Sequence, residues 1–238
     1  MGILSSIESG LSAVRGGISN ACSYIERAIS SVGSGICKLA SSIVAPFPEI
    51  SLAVNVVKVI VVVVSALAEI LGITTKEDKA DELGYKAVQC EKKLEEFSST
   101  QKYIEHLRNE VKLDMGKFDN LSPEEKLAYT ALGVSIMTKA IEEKVKVTIP
   151  AEFLHEVAKQ KLKGEEMVVY IESFKRNGLT NLKDMSDYLK GNLDGPKCET
   201  VDSAMTQALK NLNPDLAEGD IQGKVVEMKR ESRKDEGM

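Results

Sequence analysis

Residues 50–73 read ISLAVNVVKVIVVVVSALAEILGI, from Ile50 to Ile73. As a helix, a segment of this length spans about 36 Å, enough to cross a bilayer with some tilt. Pro46 and Pro48 stand just before it and disfavour helix, so Ala45 to Glu49 is expected to be a turn. Two charges, Lys58 and Glu69, interrupt the segment and leave Val59 to Ala68 uncharged between them. A lysine at the centre of a membrane helix costs roughly 2.5–3.5 kcal/mol to insert. At 100° per residue, however, Asn55, Lys58, Val62, Ser65 and Glu69 fall within a sector of about 80°. The rest of the circumference is Val, Ile, Leu and Ala, and supplies the candidate membrane or docking residues Ile50, Leu52, Val54, Val57, Ile60, Val61, Val63, Val64, Leu67 and Ile70.

A narrow polar stripe on an apolar helix has three explanations. It can face the water-filled interior of a membrane assembly. It can be the solvent edge of a helix buried on its other sides in a bundle. Or Lys58 and Glu69 can snorkel to opposite sides of a bilayer. The Val-rich stretch Val56 to Val64 adds a β-hairpin tongue as a further alternative, because β-branched residues favour strands. Left exposed, such a run invites aggregation, so a cover is expected in the resting protein.

Upstream, apolar residues recur at Ile3, Ile7, Leu11, Val14, Ile18, Cys22, Ile25, Ile29, Val32, Ile36, Leu39 and Ile43, always in steps of three or four. That is helical periodicity over about eleven turns. The opposite face is mostly Ser and Gly, which are poor helix formers, so a partner surface must hold it. Gly16-Gly17 and the Gly33-Ser34-Gly35 run are expected bends. Gly16, Gly17, Pro46 and Pro48 are therefore the candidate hinges. Small residues suit close helix contacts, and an apolar stripe backed by Ser and Gly also suits a lipid interface.

The whole chain has 238 residues, 43% hydrophobic and 28% charged, values of an ordinary folded protein of one or two domains. Tryptophan is absent and aromatics are 5%, so aliphatic side chains must do most of the packing. A net charge of −5 and few aromatics give no footprint for nucleic acid. Residues 1–73 hold only eight of the 67 formal charges, split evenly by sign. They must be covered by the rest of the chain, by other copies or by lipid. The division expected on this ground is an apolar Ser/Gly-rich region, 1–73, and a charged domain, 74–238.

The charged part reads as short helices. Lys76 to Phe97 carries a weak stripe, Gln101 to Leu113 follows the Ser98-Ser99-Thr100 break, and Ser122-Pro123-Glu124-Glu125 opens a helix with a capping box. That helix turns Leu127, Tyr129, Leu132, Ile136, Met137, Ala140 and Ile141 inward. Further starts are expected at Pro150, Glu165, Thr180–Lys183, Thr200 and Asn213-Pro214, and stops at Gly164, Gly178 and Gly191. Asn192 to Lys197 reads as a loop, Lys144 to Ile149 as the one strand candidate, and Lys229 to Met238 as a frayed tail.

No catalytic, cofactor or metal site is expected. Cys22, Cys37, Cys90 and Cys198 form no CxxC pair, and two histidines, His106 and His155, build no zinc spacing. The cysteines read as thiols in a reducing compartment, or Cys22 and Cys37 as a disulfide. His106 can pair with Glu110 at helical spacing. No secretory signal is visible, which points to synthesis in the cytoplasm, with membrane association or non-classical export open. The start MGILSS fits the myristoylation pattern, with Gly2 as acceptor and Ser6 in place.

The fold expected is all-α: an N-terminal apolar helical hairpin followed by a multi-helix charged domain. The function expected first is that of a non-enzymatic membrane-active protein, pore-forming or effector-like, whose hairpin inserts into lipid and oligomerises. Its partners would be membrane lipid and further copies of itself. The alternative is a soluble assembly component whose apolar region docks onto partner subunits. An enzyme with no local motif is the third class.

Overall fold

Prolines and glycines stand at several helix boundaries. The computed structural model describes residues 2–25 and 31–234, and among these it is all-helical, with twelve α-helices. They are α1 (Gly2–Ile25), α2 (Ser31–Val44), α3 (Ile50–Ile70), α4 (Ala80–Gln89), α5 (Thr100–Asn109), α6 (Met115–Asp119), α7 (Pro123–Val145), α8 (Ala151–Lys159), α9 (Gly164–Arg176), α10 (Lys183–Lys190), α11 (Gly195–Leu212) and α12 (Glu218–Ser232). A 3-10 turn, Leu94–Glu96, lies between α4 and α5.

The chain forms two compact units, residues 1–143 and 144–238. The division by packing therefore does not coincide with the change in charge at residue 73. In the first unit, α1 and α2 lie side by side and both touch α3. α1 runs unbroken through Gly16-Gly17, and Gly33-Ser34-Gly35 sits inside α2. Neither glycine group interrupts its helix. Ile29 of the apolar stripe, and the side chains of Ile3, Ile7, Leu11 and Ile25, lie outside the description. Pro46 and Pro48 occupy the turn between α2 and α3, where Arg15 of α1 donates to the Ala45 carbonyl at 3.2 Å.

α7 is the axis of this unit. Its start is the expected capping box: Glu125 N donates to Ser122 Oγ at 3.2 Å, and Ser122 N donates to Glu125 Oε2 at 2.8 Å. Ala131 to Thr138 are buried without a break, so the helix is enclosed on all sides rather than along one stripe. Its glycine and alanines allow close neighbours. An added Cβ on Gly17 of α1 would lie 3.1 Å from Ala128 Cβ, and Gly84 of α4 meets the α7 backbone directly. At the far end, Glu143 accepts from Thr100 N at 2.8 Å and from Thr100 Oγ1 at 2.6 Å, closing the N-terminus of α5.

In the second unit, α9 packs on α11, α10 on α8, α11 and α12, and α12 also on α8. Lys144–Ile149 is not a strand. Thr148 makes one isolated parallel bridge to Asn181, with Thr148 N donating to Thr180 O at 2.8 Å. Gly178 and Gly191 end α9 and α10 with positive φ, as read from the sequence. Gly164 instead starts α9, and the left-handed residue after α8 is Lys161. α11 starts at Gly195, not Thr200, because Pro196 is well suited to a first helical turn. The tail does not fray at Lys229. α12 continues to Ser232, whose buried hydroxyl donates to the buried Glu156 at 2.8 Å. Residues 235–238 of that expected tail lie outside the description.

A candidate membrane or docking face

α3 is the element that the sequence singles out, and local chemistry explains its limits. Glu49 precedes it in an extended conformation, consistent with the prolines beside it. At the other end, Gly72 N donates to Glu69 O at 2.9 Å and Ile73 N to Ala68 O at 2.8 Å, with Gly72 at φ +65. This is a Schellman closure: glycine takes the left-handed position, and buried Ile73 and Ala68 supply its apolar contact. Gln101 of α5 then donates to the Gly72 carbonyl at 3.0 Å, holding the exit.

Between these ends the helix is continuous, so Val56 to Val64 forms no β-tongue in this state. Burial against neighbours overrides the weak strand preference of valine. The buried face is Ala53, Val57, Ile60, Val63, Val64, Leu67 and Ala68. Its partners include α1 and α2 and α7, where Ser65 Oγ lies 3.8 Å from Met137 Sδ. Ile50 meets α1, 3.6 Å from where a Cβ on Gly10 would stand.

The opposite arc is open. Asn55 and Lys58 are exposed there, with Ser65 and Glu69 half-buried at its edge. Apolar residues share the arc: Val62 is 67% exposed, Ile70 50%, Leu52 46% and Val59 37%. Of the sequence-predicted candidates, Val57, Ile60, Val63, Val64 and Leu67 are therefore interior, Ile50, Val54 and Val61 half-buried, and Leu52 and Ile70 outside. Of the polar stripe, Asn55 and Lys58 face away from the unit's interior, while Ser65 turns toward Met137 of α7 and Glu69 is half-buried. Only a third of α3 is buried, which leaves the one helix among the described residues that is long and apolar enough to cross a membrane at the surface of its unit.

The residues brought together that sequence reading left undecided are Cys22 and Cys37. They form a disulfide between α1 and α2, with Cα atoms 5.6 Å apart and each residue 5% exposed. The signal was present in weak form, since both lie on or beside the apolar stripe, but spacing alone cannot choose between two thiols and a bond.

Elsewhere the chemistry is quiet. Among the described residues no cluster of His, Cys, Asp and Glu could hold a metal ion. His106 packs against the Phe97 ring with centroids 5.0 Å apart, and its link to Glu110 is through backbone. Burial pushes the Cys90 thiol up from its ordinary value, the opposite of an activated nucleophile. A cleft of about 400 Å³ in the second unit is lined by Leu162, Tyr170, Leu209 and Met228, with Lys161 and Lys224 among its charged residues. No protein family, curated protein or solved structure matches the chain.

Proposed function

We propose that the protein is membrane-active and non-enzymatic, with residues 1–73 as the lipid-entering region and α4–α7 as its shelter. The observation that carries this reading is α3: a 21-residue apolar helix at the surface of its unit, whose two charges, exposed Lys58 and half-buried Glu69, lie on one side of it. A helix of that length spans about 31 Å, close to a bilayer's hydrocarbon thickness. Among the described residues, its inward face meets α1, α2 and α7 through apolar side chains and the weak Ser65–Met137 contact. In lipid, the apolar arcs would turn outward. Several copies would then gather Asn55, Lys58, Ser65 and Glu69 around a wet interior, where charged groups are tolerated.

The test uses the full chain, because removing residues 1–73 would strip the cover from α7. Purified protein is mixed with dye-loaded vesicles of phosphatidylcholine and phosphatidylglycerol, then floated. The wild type floats and releases dye. Val59→Asp with Val62→Asp, both on the open arc, keeps the helical spectrum and loses flotation. Lys58→Leu with Glu69→Leu still floats but no longer conducts ions. A wild-type protein that ignores vesicles sinks the reading, and docking onto partner subunits through the same arc takes its place.

A further inference from the structure

We propose that the Cys22–Cys37 bond is a redox modification site, a clasp whose cleavage by a low-molecular-weight thiol releases α1 from α2 and sets the membrane activity of the N-terminal helices. The last part rests on the function proposed above. The bond joins two different helices across their buried seam, where Ile18, Ala21, Ile36 and Ala40 are also buried. Both helices also touch α3, so the clasp holds together the three helices of the lipid-entering region. Neither helix has an acidic residue in its first turn or a basic one in its last. Both are rich in Ser and Gly and hold little helical stability of their own. A covalent tie matters most where intrinsic stability is least. The other two cysteines, Cys90 and Cys198, are unpaired and half-buried.

Cleavage proceeds by exchange. The thiolate of the reductant attacks one sulfur, the Cys22–Cys37 bond breaks, and a mixed disulfide forms while the other cysteine leaves as a thiolate and takes up a proton. A second thiol then attacks the mixed disulfide. It frees the remaining cysteine, and the two reductant molecules depart joined as their own disulfide. Two electrons pass from the reductant to the protein. Seclusion of the bond makes the reaction wait on local opening of the α1–α2 seam.

The experiment uses full-length protein carrying Cys90→Ser and Cys198→Ser, so that one pair alone can react. Oxidised and glutathione-reduced samples are compared by amide hydrogen exchange without lipid and by dye release from phosphatidylcholine–phosphatidylglycerol vesicles. Exchange in α1 and α2 is expected to quicken by about tenfold or more on reduction, since the tie no longer limits opening. Dye release should rise in parallel and fall again on reoxidation. Cys22→Ala with Cys37→Ala should behave as the reduced form. Equal exchange in the two forms overturns the clasp, as does a chain that alkylates at both cysteines under oxidising conditions. Equal leakage with faster exchange overturns its control of the membrane step and leaves membrane activity standing. Faster exchange with no leakage from either form overturns the membrane reading and supports the clasp.

Discussion

Gly84 of α4 and Gly133 of α7 bring the two helices into backbone contact. A Cβ on Gly84 would stand 1.9 Å from the Tyr129 carbonyl oxygen and 3.0 Å from Gly133 N, and one on Gly133 would stand 1.7 Å from the Ala80 carbonyl oxygen. Real Cβ atoms do not approach backbone that closely, so the two glycines together set the spacing of α4 on the enclosed helix. Gly84→Ala or Gly133→Ala should each cost about 2–4 kcal/mol by urea denaturation, because backbone must move. Gly35→Ala is the control. Nothing lies within 4 Å of its added Cβ, and the change should stabilise α2 by about 0.5–1 kcal/mol. Equal effects at Gly133 and Gly35 would deny the close crossing.

Arg108 of α5 holds Asp78, just before α4, in a two-point contact: Nε donates to Oδ1 at 2.8 Å and Nη2 to Oδ2 at 2.5 Å. Asp78 also accepts from Thr75 N at 2.8 Å and has a side chain only 3% exposed. Asp78→Ala should destabilise the first unit by about 2–4 kcal/mol, since these three donors and the Thr75 hydroxyl, which donates to Oδ2 at 3.2 Å, lose their acceptor. Arg108→Lys should recover only part of the contact, because an ammonium cannot reproduce the fork. Thermal melts of both variants check the order: wild type, then Arg108→Lys, then Asp78→Ala.

Ser232 ties the end of α12 to α8 through Glu156, which also accepts from Gln160 at 2.7 Å. Both Ser232 and Glu156 are buried. Ser232→Ala should cost about 1–2 kcal/mol, the cost of leaving one carboxylate lone pair without its donor. Deleting the chain from Lys229 onward should cost more, since it exposes the carboxylate itself. Denaturation of the two chains measures the difference.

Buried phenols predict the alkaline limit. Burial raises Tyr103 and Tyr170 well above the ordinary value of 10. Above that pH the unfolded chain loses protons that the folded chain retains, so stability falls as pH rises. Below it both states are protonated and these groups contribute no slope. Tyrosinate absorbance and helical signal should therefore change together for these residues above pH 10. Ionisation of every tyrosine with the helical signal intact would contradict the burial.

Boundaries that depend on one or two residues were legible without the fold. Pro46 and Pro48 place the α2–α3 turn, Ser122 and Glu125 cap α7, and Gly178 and Gly191 close α9 and α10. Gly16 and Gly17 lie inside an unbroken α1, since a glycine permits a break without requiring one, and Gly17 packs closely on Ala128. Lys229 misled because charge suggested a loose end, while Ser232 three residues later is buried against a partner far back in the chain.

The amino-acid order by itself determined the helical class and the start of α3 after its prolines, because periodicity and capping act over a few residues. Tertiary structure alone decided that α3 packs against α7, that Cys22 meets Cys37, and that Gly84 meets Gly133. Each joins residues 15 to 72 positions apart. Which apolar faces meet follows from packing all the helices of the unit together, and no local pattern specifies it.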